Sequence, residues 1–187
     1  MRHLGFDGEM MTFKDFPADP ADPYWEVDRA IIVPADEGKT VVINGDVFTV
    51  KLRSAVTTGS LGFIEADVPP GIGASPHAHL AEDEAFYLVS GEMDIINGNT
   101  TQRCGAGDFI FIPRGTRHGY RNVGEDTAKL LVFFTPGGAE ELWLEVGEEA
   151  TKDNIGVPWS DRQFEAIAEP LKRYHMPQLP GGAERKR

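Results

Sequence analysis

Between Tyr24 and Pro136 the chain runs as short β-branched and aromatic stretches: "RAIIVP", "TVVINGDVFTVKL", "LGFIEADVPPG", "AFYLVSGEMDIINGN", "DFIFIPRG" and "KLLVFFTPGG". Each is closed by Gly, Pro, Asn or Asp. Runs this short, of residues that suit a pleated and half-buried surface, predict an antiparallel all-β domain over residues 24–137. The Asn-Gly pairs at Asn44–Gly45 and Asn97–Gly98 are expected to close tight hairpins, because the central residues of such turns need positive φ.

Residues 1–23 precede this domain as an arm in which "PADPADP", Pro17 to Pro23, cannot propagate a helix. After "TPGG" the pattern changes, so residues 138–187 form a helical C-terminal extension with a frayed tail: "AEELWLEVG" reads as a short helix and "SDRQFEAIAEPLKRYHM" as a longer one. Ser160 and Gln163 fit a capping box, and Pro170 predicts a break or kink. Trp143 is expected to dock the first helix as an apolar anchor.

The 187 residues suffice for one ordinary core without cross-links. A net charge of -12 repels phosphate backbones and anionic surfaces, which argues against nucleic acid and membranes as partners. The single cysteine, Cys104, rules out an intrachain disulfide and a multi-thiolate zinc site. It has no histidine nearby in sequence and is expected to be inert. With no apolar run of signal-peptide or membrane-spanning length, the expected location is the cytoplasm.

The chemistry concentrates in "PHAHLAEDE". Of five histidines, two stand one residue apart. On an extended segment His77 and His79 point the same way, with the small Ala78 between them pointing elsewhere. Glu84 opens the apolar run "AFYLVS", where a carboxylate needs a compensating partner. Glu82 and Asp83 are expected to be solvated loop acids. In "GDFIFIPRGTRHGYRN" a buried strand ends at Pro113, turns through Arg114 to Thr116 and returns with His118. Placed together, His77, His79, Glu84 and His118 offer three imidazole nitrogens and one carboxylate oxygen. That set suits one divalent transition metal per subunit, among Fe, Mn, Co, Ni, Cu or Zn, and not Ca or Mg. Alternation puts Phe86 and Leu88 on the Glu84 side of its strand, and Tyr120 and Asn122 on the His118 side. His3 and His175 need no role, and Arg114 and Arg117 are expected to be solvated at the turn.

Gly71, His77, His79, Glu84 and Gly91 stand at G-x5-H-x-H-x4-E-x6-G, and Gly107, Pro113, Gly115, His118 and Asn122 at G-x5-P-x-G-x2-H-x3-N. These spacings resemble both signature motifs of the cupin superfamily, in order. The resemblance implies a double-stranded β-helix jelly roll, a cupin barrel with a short helical C-terminal arm, and a metal site inside it. "GDVFTV" through "LGFIEADVPPG", with "PGG" and helices after the barrel, is more narrowly similar to the bacterial one-domain quercetin dioxygenases. That likeness implies a metal-dependent dioxygenase acting with O2 on an aromatic or enolic hydroxyl compound. His77, His79 and His118 become metal ligands, and Glu84 a ligand that also serves as catalytic base. A non-oxidative isomerase, cyclase or hydrolase on the same metal is the alternative, and a small-molecule-binding protein without catalysis is a third. Exposed jelly-roll edges and long arms predict a homodimer.

Overall fold

The computed structural model describes residues 30–179. The chain divides into two units, residues 1–32 and 33–187, and the second carries every element named below.

The hairpin at Asn44–Gly45 sets the first register. Both residues take positive φ, 54° and 89°, and Ile43 pairs with Asp46 across the turn. Strands β1 (Lys39–Ile43) and β2 (Asp46–Leu52) lead to β3 (Gly62–Val68), β4 (Asp83–Ser90), β5 (Glu92–Asn97), β6 (Thr100–Gly105), β7 (Phe109–Ile112), β8 (His118–Asn122) and β9 (Ala128–Thr135). One sheet runs β1-β2-β3-β9-β4-β7 and the other β6-β5-β8, with every neighbouring pair antiparallel. The period of two that marks a half-buried strand is explicit: Ile64, Ala66 and Val68 on β3 and Leu130, Val132 and Phe134 on β9 are buried, while Phe63, Glu65 and Asp67 lie on the other face. With Phe86 and Leu88 of β4 and Met93 and Ile95 of β5 they form the core between the sheets.

Three local expectations are corrected. The described part of "RAIIVP", residues 30–34, forms no strand: Ile32 is 86% exposed, and the carbonyls of Pro34, Ala35 and Glu37 are gathered onto Lys51 Nζ at 2.5, 3.1 and 2.5 Å instead of a ladder. The barrel strands therefore begin at Lys39. The second hairpin turns on Gly98 and Asn99, since Asn97 pairs with Thr100 and stays in β5; of the turn residues only Gly98 has positive φ, 60°. Its outgoing strand β6 went unrecognised because "TTQRC" is almost wholly exposed and carries no apolar alternation.

The helical extension is as expected, in three pieces: α1 (Glu140–Val146), α2 (Asp161–Ala166) and α3 (Ala168–Arg173). The Ser160–Gln163 capping box starts α2, with Ser160 N–H donating to Gln163 Oε1 at 3.0 Å. The break falls at Ile167, three residues before Pro170, because proline has no N–H for the preceding turn. Trp143 of α1 packs edge-on to Phe48, ring centres 5.8 Å apart, as the predicted anchor. No described helix is long and apolar enough to cross a membrane.

Candidate metal centre

Each cluster residue is delivered by a backbone feature the sequence encodes. Glu84 is the second residue of β4, and alternation turns Glu84, Phe86 and Leu88 inward while Tyr87 stays 40% exposed. His118 opens β8 and shares its buried face with Tyr120 and Asn122. His77 is held by a two-way bridge, its N–H donating to the His118 carbonyl at 2.8 Å and its carbonyl accepting from the His118 N–H at 2.9 Å. His79 is tied by its carbonyl, which accepts the Gly115 N–H at 2.6 Å. Gly115, at φ 80°, makes the turn between β7 and β8 that a side chain would strain. Gly91, the last residue of the first pattern, takes φ 92° where an added Cβ would lie 2.5 Å from that of Ala128, so only glycine lets β4 pass directly into β5.

These elements bring His77, His79, Glu84 and His118 together, with one potential ligand atom from each lying within 4.8 Å of all the others and all four residues buried. The His77 Nδ1 contacts the Ser75 carbonyl at 2.8 Å and the His118 Nδ1 the Thr116 carbonyl at 2.9 Å. Those contacts fix Nδ1 as the protonated nitrogen and leave Nε2 as a bare lone pair facing inward. Glu84 Oε2 lies 2.7 Å from His118 Nε2 and 3.6 Å from His79 Nε2. None of these three atoms has a hydrogen bond of acceptable geometry. Buried acceptors without donors are costly unless a cation completes them, so the cluster could hold a metal ion. Burial and the neighbouring His118 push the His77 imidazole down to about 3, and burial with both neighbouring imidazoles holds His79 well below its ordinary value. Burial also lowers His118, but the adjacent Glu84 carboxylate and the Thr116 carbonyl outweigh it and the net direction is up.

Two acids depart from expectation. Glu82 is buried, not solvated: its Oε2 has no partner and sits 3.9 Å from His79 Nδ1, and burial raises its carboxyl. Asp83 is clamped, accepting from Arg114 Nε at 3.1 Å, Nη2 at 3.0 Å and the backbone N–H at 2.9 Å. That pair ties the start of β4 to the turn before β8, while the Arg114 side chain stays 50% exposed, as expected of a residue solvated at the turn. Arg117 donates to the Gly98 carbonyl at 2.5 Å. Cys104 is buried, with its thiol pushed up by burial, as an inert residue should be.

His77 and Glu84 open onto a cavity whose walls include Phe86, Tyr120, Ile64 and Val132. Phe86 and Tyr120 are thus aromatic walls, beside Phe48 and Trp143; Phe109 and Phe111 point outward, 63% and 56% exposed, and Phe63 packs on Phe133 outside the cavity lining. The far wall was not foreseen. Trp159, Phe164, Ile167, Leu171 and Met176 of the C-terminal extension close it. The segment after α3 then runs alongside the histidines: Ala78 N–H donates to the Pro177 carbonyl at 3.3 Å and Leu80 N–H to that of His175 at 3.0 Å. The signal lies in the helical spacing of Phe164, Ile167 and Leu171 in "FEAIAEPL", which marks an apolar face in need of a partner.

Asp46 was missed as well. It alternates inward with Phe48 and Val50 and is only 2% exposed, accepting the Tyr120 O–H at Oδ2 (2.9 Å) and leaving Oδ1 unpartnered. An acid in the inward register of an apolar strand was the cue. Burial pushes its carboxyl up to about 8, against the pull of the Tyr120 hydrogen bond, from an ordinary 3.8. The native state therefore keeps a proton that the unfolded chain releases, and Asp46 costs stability increasingly as pH rises from about 4 to about 8. The titratable groups lining the same cavity are Tyr120, Glu84 and His77. Asp46→Asn is expected to gain melting temperature relative to the parent across that window and to match it at the acid end. Parallel melting curves against pH would contradict the buried neutral acid.

The double sheet and its three-histidine, one-glutamate cluster define a jelly-roll protein with a candidate metal centre. The cupin-domain family profile matches residues 64–134. An uncharacterized protein of Streptomyces coelicolor is 31% identical over 77 residues, 41% of this chain and 70% of that protein. The polyketide synthase protein CurC of Streptomyces cyaneus is 29% identical over 140 residues, 74% of this chain and 80% of that one. Quercetin 2,3-dioxygenase of Bacillus subtilis is 23% identical over 117 residues, covering 63% of this chain and 34% of the enzyme. Among solved structures, a protein of Thermotoga maritima described as a predicted oxalate decarboxylase superposes with TM-score 0.54 at 21% identity, over 57% of this chain and 99% of that one. KdgF from a Halomonas species does so with TM-score 0.53 at 21% identity, over 59% and 99%. The chain belongs to the cupin superfamily.

Proposed function

We propose that the chain is a metal-dependent dioxygenase of the quercetinase kind, acting with O2 on a small aromatic or enolic hydroxyl compound. The observation that carries this reading is the buried His77–His79–Glu84–His118 cluster opening onto an apolar cavity walled by Phe86 and Tyr120. The four residues would hold one divalent transition metal, whose charge would acidify a hydroxyl brought to it. Glu84 sits where it can also accept that proton, because its Oε2 is turned toward the cluster and has no hydrogen-bond donor of its own. The apolar wall keeps water from the reacting ring. The likeness to quercetin 2,3-dioxygenase supports this reading, although it spans 34% of that enzyme.

A second reading, a non-oxidative cyclase or related Lewis-acid enzyme on the same substrate class, is favoured by the likeness to the polyketide synthase protein CurC over 80% of its length. An oxygen electrode separates the two. Protein loaded in turn with Fe, Mn, Co, Ni, Cu and Zn is offered flavonols and smaller enols. The dioxygenase reading expects O2 uptake in step with substrate loss for at least one metal. Substrate loss with no O2 uptake for any of them transfers the proposal to the second reading.

We also infer that two copies pair. Among the described residues strand β7 ends its sheet with one side unpaired, and Phe109 and Phe111 on it, with Tyr87 and Val89 of β4, are exposed apolar residues. Light scattering at micromolar concentration is expected to return twice the mass of one chain. Phe109→Glu should shift it toward the monomer, and a monomeric parent would refute the pairing.

A further inference from the structure

The cavity wall carries three buried polar groups that the metal cluster leaves unused. Among the described residues, Asp46 Oδ1, Trp143 Nε1 and Trp159 Nε1 are each buried and without a hydrogen-bond partner, and all three residues line the cavity. Asp46 comes from β2, Trp143 from α1 and Trp159 from the loop before α2, so three separate elements converge. An unsatisfied buried polar group is costly, and three on the lining of one cavity are an arrangement that a ligand would complete.

The hydrogen bonding states what kind of ligand. An indole N–H can only donate. Asp46 Oδ2 already accepts the Tyr120 O–H at 2.9 Å, so when the carboxyl is neutral its proton resides on Oδ1. Burial raises this carboxyl enough to keep it neutral at pH 7. All three groups are then donors on residues that line an otherwise apolar cavity, and they call for oxygen acceptors on the ligand in addition to the one that meets His77 and Glu84.

We propose that the cavity selects a ligand with two separate oxygen functions, one at the His77–Glu84 side and the other held by Asp46 Oδ1, which makes Asp46 a specificity-determining residue. The proposal rests on the metal-dependent reading of the site and adds to it the second oxygen function of the substrate. A hydrocarbon ring with a single hydroxyl would leave the Asp46 proton unpaired and be discriminated against, since a site built to hydrogen-bond an oxygen rejects the analogue lacking it.

The test compares two single-ring probes by titration calorimetry on zinc-loaded protein: 2-hydroxyacetophenone, and 2,4-dihydroxyacetophenone with its additional distal oxygen. In the parent the dihydroxy probe is expected to bind about tenfold more tightly, the worth of one good hydrogen bond. In Asp46→Ala and in the near-isosteric Asp46→Val the ratio of the two affinities should fall to about one. A purely structural role would weaken both probes together and leave the ratio intact. An unchanged ratio in both variants, equal binding of the two probes by the parent, or binding of neither overturns the proposal. Repeating the parent titrations after the zinc is stripped keeps the two readings apart. If the monohydroxy probe binds equally well without metal, the metal-dependent reading fails, while the ratio still reports on Asp46.

Discussion

His79→Ala is expected to carry far less metal than the parent, which should purify with close to one divalent ion per chain. His79 is 1% exposed, and its ring stacks within 5.4 Å of His118 and lies 5.4 Å from Phe134. Alanine there removes one of four donors and leaves a void that water-exposed groups cannot reach. Changing a residue that merely supports a ligand typically costs 10–100-fold in metal affinity, so loss of a ligand itself should cost at least that much. Elemental analysis after dialysis against a weak chelator reads the result. Full retention by a folded His79→Ala protein would remove His79 from the ligand set.

The second large effect concerns Glu84. If it only ligates, Glu84→Gln should lose some metal and keep its turnover per bound ion, because an amide oxygen can take the same position. If it also accepts the substrate proton, turnover per bound metal should fall by roughly 10²–10⁴, the usual worth of a positioned general base. The structure supplies no neighbouring substitute among the described residues. His77 and His79 are held neutral by burial and would be engaged as ligands, and Glu82 lies on the Nδ1 side of His79, away from its Nε2 and from Glu84. Single-turnover rates normalised to metal content decide the matter. Near-normal rates in Glu84→Gln would reduce it to a ligand and favour the Lewis-acid reading.

Much of this was legible because the deciding signals are local. Strand alternation fixed Glu84 with Phe86 and His118 with Tyr120, and two glycines at positive φ, Gly91 and Gly115, are required where the two spaced patterns place them. The residues that misled do so through long-range partners. Glu82 reads as a loop acid, yet it is buried, with Glu140 of α1 and His175 after α3 close enough to act on its charge. "RAIIVP" reads as a strand until Lys51 collects the carbonyls that follow it. Asp46 reads as a hairpin residue, since "NGD" is turn chemistry, and only the register of β2 shows it facing inward. The far wall of the cavity comes from Trp159 to Met176, 68 to 85 positions after Gly91 ends the first pattern, and no spacing rule links "SDRQFEAIAEPL" to "PHAH". The N-terminal arm, residues 1–23, lies outside the described residues.

The central claim is that one ion is held by three imidazoles and one carboxylate, and X-ray absorption on the zinc-loaded protein tests it directly. The account predicts a first shell of nitrogen and oxygen at about 2.0–2.2 Å, with outer-shell scattering from three imidazole rings that drops to two in His118→Ala. A shell containing sulfur, or one of oxygens alone with no imidazole scattering, would contradict it.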